Sequence, residues 1–146
     1  MSRRSEASSH DHPLRVRYAE TDQMGVAYHA NYLVWFEVGR TEYCRARGFS
    51  YERLERQTGT FLVVVEASCR YRIPLRYDDR FVVRTFLSRP GRRLLTFSYL
   101  LLRPDSGEIH AEGETKHAVT GIDGRVKSFP PDYFRLLVEK GSGGDA

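Results

Sequence analysis

The alternation of apolar and polar residues predicts a short strand, a long helix and then several strands. Apolar side chains alternate with arginines over residues 14–18, which is typical of a strand with one buried face. Residues 30–47 carry apolar side chains at helical spacing, and Gly48 follows as a stop signal. The first turns of this helix are apolar on nearly all sides, so we expect them to be deeply buried. A shorter helical segment is predicted over residues 51–59.

The second half of the chain is predicted to form strands joined by tight turns. Pro74 marks an edge or a break within the first of them. The strands are predicted over residues 61–77, 80–88, 94–103 and 108–120, and a final short helix over residues 131–140. One long helix buried against one sheet indicates an α+β domain, in which a curved antiparallel sheet wraps around a central helix.

The length of 146 residues fits a single domain. Residues 1–12 are polar and rich in serine and histidine, so we predict a disordered tail there. The domain then covers residues 13–140, and residues 141–146 form a flexible tail. His10 and His12 fall in the predicted tail without further ligands, so we expect neither a metal site nor an organic cofactor.

Charge and cysteine content narrow the possible partners and location. The net charge is +4, and nearly all the cations are arginines, which suit phosphates, carboxylates and RNA alike. Because no RNA-binding motif is present, we expect no nucleic-acid partner. No apolar run is long enough to cross a membrane, and the N-terminus does not resemble a signal peptide. Cys44 and Cys69 lack metal-ligand spacing and indicate a reducing compartment, so we predict a cytoplasmic location.

The candidate chemistry lies between Tyr18 and Arg40. In this segment Asp22 lies in a loop, Gly25 bends the loop, and the predicted helix begins. The free backbone N–H groups of a helix N-terminus can polarise a carbonyl, and a nearby carboxylate can attack that carbonyl or activate a water. This pairing suits thioesters, because a thiol with a pKa of about 8.5 leaves without a dedicated acid. From position alone, however, a helix N-cap is the more common role for such an aspartate.

The run Y-x-E-T-D-x-x-G-V-x-Y-H-A-N-Y-x-x-W-F-E-x-x-R resembles the signature of the 4-hydroxybenzoyl-CoA thioesterase-like hot-dog proteins. Within them it is most similar to the YbgC-type acyl-CoA thioesterases, and the later T-G-I-D-G-R-V-K-S-F-P segment supports this. The resemblance implies a hot-dog fold and a homodimer joined edge to edge, often assembled into a tetramer. It also implies active sites at the dimer interface that hydrolyse acyl-CoA or an acyl group on acyl carrier protein.

The resemblance also assigns roles to individual residues. The family's catalytic aspartate falls on Asp22, and its tyrosine and histidine companions fall on Tyr18 and His29. His29 then orients Asp22 or a water as a neutral imidazole, Tyr18 contributes packing and a hydroxyl contact, and the backbone donor falls near Tyr28 and His29. Asn31 either caps the helix or fixes the loop. The predicted substrate-binding residues are Gly25, Val26, Tyr28, Asn31 and Arg92.

Several alternatives stay open at this point. Asp22 is either a nucleophile that forms an anhydride or a general base for water. Glu37, on the central helix, could carry the chemistry instead, as a glutamate does in some hot-dog thioesterases. A dehydratase or hydratase of acyl thioesters, and a non-catalytic module that binds acyl-CoA or acyl carrier protein, are the competing functions. The complete set of Tyr18, Asp22 and His29 favours the hydrolase.

Overall fold

The structure is a computed structural model that describes residues 9–139, so predictions for residues 1–8 and 140–146 lie outside the described residues. No helix in the described part of the chain is long and apolar enough to cross a membrane. A 3-10 helix, Tyr18–Glu20, follows the first strand. The remaining elements are β1 (Ser9–Arg15), α1 (Asn31–Ala46), α2 (Tyr51–Thr58), β2 (Phe61–Tyr71), β3 (Arg80–Pro90), β4 (Leu94–Leu102), β5 (Ile109–Thr120) and α3 (Pro131–Val138).

The five strands form one antiparallel sheet in the order β1-β3-β4-β5-β2, and α1 packs against one face of it. The ring of Phe36 on α1 stacks on Tyr99 of β4 with 4.4 Å between centroids. Gly39 allows the close approach of helix and sheet, because a Cβ there would lie 2.5 Å from Cγ1 of Val83. This is the predicted α+β arrangement, a curved sheet around one central helix, and it is the hot-dog fold.

The long helix and its stop signal are confirmed. The helix α1 covers nearly all of the predicted range, and Gly48 follows it with a φ of 100°, a conformation that favours glycine. The predicted strand over residues 61–77 is wrong beyond Tyr71. The N–H groups of Arg72 and Ile73 both bond to the His110 carbonyl, so the ladder ends there, ahead of Pro74.

The predicted N-terminal tail is wrong for residues 9–12, which belong to β1. Ser9–Arg15 pairs with β3, and Asp11 forms an ion pair with Arg84 at 2.7 Å. Main-chain pairing and this cross-strand contact hold a polar edge strand that composition cannot reveal. The strand predicted over residues 14–18 therefore begins earlier, and it ends before Tyr18, which lies in the 3-10 helix.

The first turns of α1 are not buried on all sides, contrary to the sequence prediction. Leu33 and Val34 are 40% and 51% exposed. On the edge strand β2, Val63, Val64 and Val65 are also about half exposed. A single chain thus leaves apolar side chains uncovered on one helix face and along one open sheet edge. Such surfaces are typical of contacts with another protein chain.

A buried polar chain runs between α1 and the sheet. Arg40 donates to the Tyr99 hydroxyl at 3.0 Å, which contacts the Thr115 hydroxyl, which in turn contacts Nε2 of His117 at 2.8 Å. His117 is fully buried, and its Nδ1 has no partner among residues 9–139. Burial, assisted by the Arg40 charge, lowers the pKa of His117 to about 3. The folded protein therefore holds His117 as neutral imidazole.

We expect His117 to make the protein less stable in mild acid. Between about pH 6.5 and pH 3 the His117 imidazole is protonated in the unfolded chain and neutral in the folded chain. The free energy of unfolding therefore falls as the pH falls. The slope from this one group is about 1.4 kcal/mol per pH unit. The measurement is urea unfolding of wild type and His117→Gln from pH 7 to pH 4. Parallel curves of unfolding free energy against pH would contradict this assignment.

Candidate active site

The loop between the 3-10 helix and α1 holds Asp22 in a defined turn. The Gly25 N–H donates to the Asp22 carbonyl at 3.0 Å, and the Met24 N–H donates to Oδ1 of the Asp22 carboxylate at 2.9 Å. Gly25 has a φ of 80°, which explains the glycine. No donor among residues 9–139 bonds to Oδ2 of Asp22 in this structure. One carboxylate oxygen is therefore fixed and the other is available.

Asp22 is not the cap of α1, so that alternative is wrong. The residue at the N-cap is Ala30, and no side chain caps the helix. The N–H groups of Asn31 and Tyr32 donate to the carbonyls of Tyr28 and His29. Among the described residues, no acceptor takes the N–H of His29 or of Ala30. These two donors directly precede the first residue of the helix, where the backbone carries a partial positive charge.

The loop is attached to the rest of the domain at both ends. The Ala27 N–H donates to the Leu75 carbonyl at 2.7 Å, and the Tyr28 N–H donates to the Glu20 carbonyl at 2.8 Å. The Tyr28 N–H is thus occupied, and the free donors lie one and two residues further on. The Asn31 side chain also donates to the Glu20 carbonyl, at 2.8 Å, so it fixes the loop and does not cap the helix.

A cleft of about 350 Å³ brings the loop, α1 and the end of β2 together. Its lining residues are Asp22, Val26, Ala27, His29, Tyr32, Tyr71, Arg72, Ile73 and Pro74. Asp22, His29 and Val26 from the predicted site therefore share one cavity. Other clefts of similar volume contain neither Asp22 nor His29, and one of them lies among the charged side chains of β2 and β5. Because it contains Asp22 and His29, this cleft is the candidate active site among the clefts of similar volume.

The other predicted residues lie around or away from this cleft. Tyr28 packs against the His29 ring at 4.6 Å, while Tyr18 is 78% exposed and packs edge-on against Tyr77. Arg92 lies between β3 and β4, at the opposite end of the sheet, where its guanidinium covers the Phe134 ring. Within one chain, therefore, Tyr18 and Arg92 do not line the cleft. Glu37, the alternative catalytic acid, is exposed, outside the cleft, and accepts a bond from Thr41.

Sequence reasoning missed the wall of the cleft that β2 provides. The Tyr71 hydroxyl donates to the His29 carbonyl at 2.9 Å, and its ring packs edge-on against Tyr32 at 4.8 Å between centroids. Tyr71 was not identified because it lies 42 residues from His29 in the sequence. The motif itself carried no signal for that contact. No group of metal-ligating side chains occurs within residues 9–139, and the absence of a metal stays a prediction.

Comparison with known proteins identifies the family. The thioesterase-like superfamily matches residues 16–137. YneP of Bacillus subtilis is 38% identical over 122 residues, which cover 84% of this chain and 84% of YneP. The acyl-CoA thioesterase YbgC of Haemophilus influenzae is 36% identical over 91 residues, covering 62% and 67% of the two chains. The crystal structure of DHNA-CoA thioesterase from Staphylococcus aureus is similar with a TM-score of 0.82 and 30% identity, covering 88% of this chain and 87% of that one.

These matches confirm the resemblance read from the Tyr18–Arg40 segment. They extend it over the sheet and α3, because the superfamily match ends at residue 137. The chain therefore belongs to the thioesterase-like superfamily.

Proposed function

We propose that this thioester hydrolase acts on acyl-CoA and that Asp22 carries its chemistry. The observation that supports this most is the shared position of two features. At one end of a short loop beside the cleft lies the Asp22 carboxylate, which has one free oxygen. At the other end lie two free backbone N–H groups, those of His29 and Ala30. A thioester carbonyl bound between them would meet donors on its oxygen and a base or nucleophile near its carbon.

The proposed reaction adds water across the thioester bond. If Asp22 acts as a general base, it takes a proton from water while the water oxygen bonds to the carbonyl carbon. The negative oxygen of the intermediate then accepts bonds from the free N–H groups of the helix start. Collapse of the intermediate breaks the C–S bond, and CoA leaves as thiolate. If Asp22 instead attacks the carbonyl carbon directly, the C–S bond breaks, CoA leaves as thiolate and an anhydride forms on Asp22, which water hydrolyses in a second step.

His29 lines the same cleft and has no hydrogen bond to Asp22 in this structure. Its exposed ring is held between Tyr28 and Tyr71 by edge and tilted contacts. We propose that it orients the attacking water or the thioester. Val26 and Ala27 supply apolar contact to the acyl group, and Gly25, Tyr28 and Asn31 shape the loop around it. Tyr18 contributes at the rim, because its side chain is exposed directly before the loop.

We also propose that the working enzyme is a homodimer formed through β2. One side of β2 pairs with β5 along its whole length, and its other side has no partner strand among residues 9–139. An open edge of eleven residues, with Val63, Val64 and Val65 exposed near its middle, favours pairing with a second copy. Antiparallel pairing of two β2 strands would set the Tyr71 end of one copy beside the Phe61 end of the other.

This pairing would bring Arg92 to the Asp22 cleft of the other copy, which it cannot reach within its own chain. The Phe61 end of β2 pairs with the end of β5 at Thr120, which lies beside the start of β4 and its preceding turn. In the proposed dimer, Arg92 of the second copy approaches the Asp22 cleft, where its guanidinium can bind a CoA phosphate. Assembly of dimers into a homotetramer and an acyl-carrier-protein substrate stay predictions. The two free cysteines support a cytoplasmic location.

The test is a panel of acyl thioesters, from acetyl-CoA to palmitoyl-CoA together with benzoyl-CoA, 4-hydroxybenzoyl-CoA and acyl carrier protein. We expect wild type to release free thiol and acid in equal amounts from at least one member. Tight binding without thiol release would favour the non-catalytic binding module. Addition or loss of water within the acyl chain, with the thioester intact, would favour a hydratase or dehydratase.

A further inference from the structure

Glu20 is the one acidic side chain that is buried in the described part of the chain, at 7% exposed. It ends the 3-10 helix and lies two residues before Asp22. A buried carboxylate is costly unless donors surround it. Oε1 accepts the Arg17 N–H at 2.8 Å, while Oε2 accepts the Trp35 indole N–H at 3.0 Å and the Arg17 guanidinium at 3.2 Å.

The main chain of Glu20 makes a second set of contacts. Its carbonyl accepts the Tyr28 N–H and the Asn31 side-chain amide, both at 2.8 Å. Glu20 thus bonds to the residues on both sides of the Asp22 loop and, through Trp35, to the second turn of α1. These bonds hold together the two ends of the segment from Asp22 to Ala30. Asp22 lies at one end of this segment, and the free N–H groups of His29 and Ala30 lie at the other.

Glu20 remains charged under the conditions in which the loop works. Burial alone would raise the pKa of this carboxyl, but the bonds from Arg17 and Trp35 outweigh burial and lower the pKa below its usual value. Its bonds therefore persist throughout the neutral range. Glu20 does not line the cleft, so it touches neither the acyl group nor the attacking water.

We propose that Glu20 is a positioning residue, whose bond to Trp35 sets the separation between the Asp22 carboxylate and the N–H groups of His29 and Ala30. This inference rests on the proposed thioesterase function. The bond ties Glu20, two residues before Asp22, to the second turn of α1, and the donors lie in the two residues that directly precede α1. Without it, the loop keeps its main-chain contacts and the Asn31 bond, but the Glu20 side chain no longer holds it to the second turn of the helix. Small displacements of reacting groups lower the chemical step more than binding.

The test compares Glu20→Gln, Trp35→Phe and the double variant with wild type. Gln keeps the shape of the side chain, but an amide nitrogen replaces one of the two acceptor oxygens, so Gln cannot accept all the bonds that Arg17 and Trp35 donate to Glu20. We expect kcat to fall roughly tenfold to a hundredfold in Glu20→Gln, with KM within about twofold. Because both single variants weaken the same contact between Glu20 and Trp35, the double variant should be no slower than the slower single one. Glu52→Gln, on the exposed face of α2, is the matched control.

A spectroscopic measurement separates positioning from general loss of structure. Trp35 is the only tryptophan of the chain, so one indole N–H resonance reports the bond to Glu20. We expect Glu20→Gln to shift that resonance and the amide resonance of Met24, which donates to the Asp22 carboxylate. Resonances of the remaining sheet should stay in place.

The outcomes are distinct. An unchanged kcat in folded Glu20→Gln, or kinetic losses that multiply in the double variant, would overturn the inference. If Glu20→Gln fails to fold, Trp35→Phe decides: a lower kcat with a shifted Met24 amide supports positioning, and an unchanged kcat overturns it. If wild type hydrolyses no thioester, the proposed function fails. The Met24 amide then decides the inference: a shift in Glu20→Gln supports control of the Asp22 loop, and an unmoved resonance overturns it.

Discussion

Asp22→Asn is expected to lower kcat by at least about a hundredfold while the protein stays folded. Asparagine keeps an oxygen that can accept the Met24 N–H, so the turn from Asp22 to Gly25 can persist. What the variant loses is the oxygen that can remove a proton from water or attack the thioester. The change should therefore fall on the chemical step, and KM should change little.

The matched control for this experiment is Asp132→Asn. Asp132 is an exposed aspartate in the first turn of a helix, and its ion pair with Arg135 lies on the surface of α3. We expect this variant to retain wild-type kcat. Free-thiol release under saturating acyl-CoA, with circular dichroism as the folding check, provides the measurement. An equal loss of kcat in both variants would show that the effect comes from removing a negative charge anywhere on the protein, and not from the Asp22 oxygen.

Val65→Lys is expected to convert the enzyme to a monomer and to reduce kcat/KM more than tenfold. Val65 lies near the middle of β2 and is 55% exposed. In the proposed dimer a two-fold axis passes near this position, so two lysines would meet without counter-charges. The monomer would also lose the second copy's Arg92 from its cleft. Sedimentation velocity and thiol release, measured on the same sample, test both effects together.

The control for the dimer experiment is Val138→Lys on α3, a half-exposed apolar position away from β2. It should leave both the sedimentation coefficient and the rate unchanged. A dimeric Val65→Lys protein would contradict pairing through β2. A fully active monomer would instead show that the Asp22 cleft is complete within one chain.

The central helix could be predicted because the features that specify it are close together in the sequence. Apolar positions at helical spacing and Gly48 at its end depend only on neighbouring residues, and the observed helix matches them. The exposure of Leu33 and Val34 could not be predicted, because their burial depends on what covers the open side of the helix. The same holds for β1, whose residues 9–12 are polar and form a strand only because β3 offers an edge.

The candidate site was predictable where the motif is continuous. Asp22 and His29 lie in one run of sequence, and the structure brings them to one cleft. Tyr71 reaches His29 only through folding of the sheet, so no local pattern indicated it. Glu20 was visible in the motif, but its role depends on a buried bond to Trp35, and burial is not readable from spacing.

The most direct measurement maps where an intact thioester binds to Asp22→Asn, the variant expected to bind substrate without hydrolysing it. Backbone amide resonances are followed by NMR while the acyl-CoA that wild type hydrolyses best is added. We predict that the amides of His29 and Ala30, directly before α1, shift most, because the thioester oxygen accepts their N–H groups. Shifts confined to the cleft between β2 and β5, with these two amides unmoved, would contradict it.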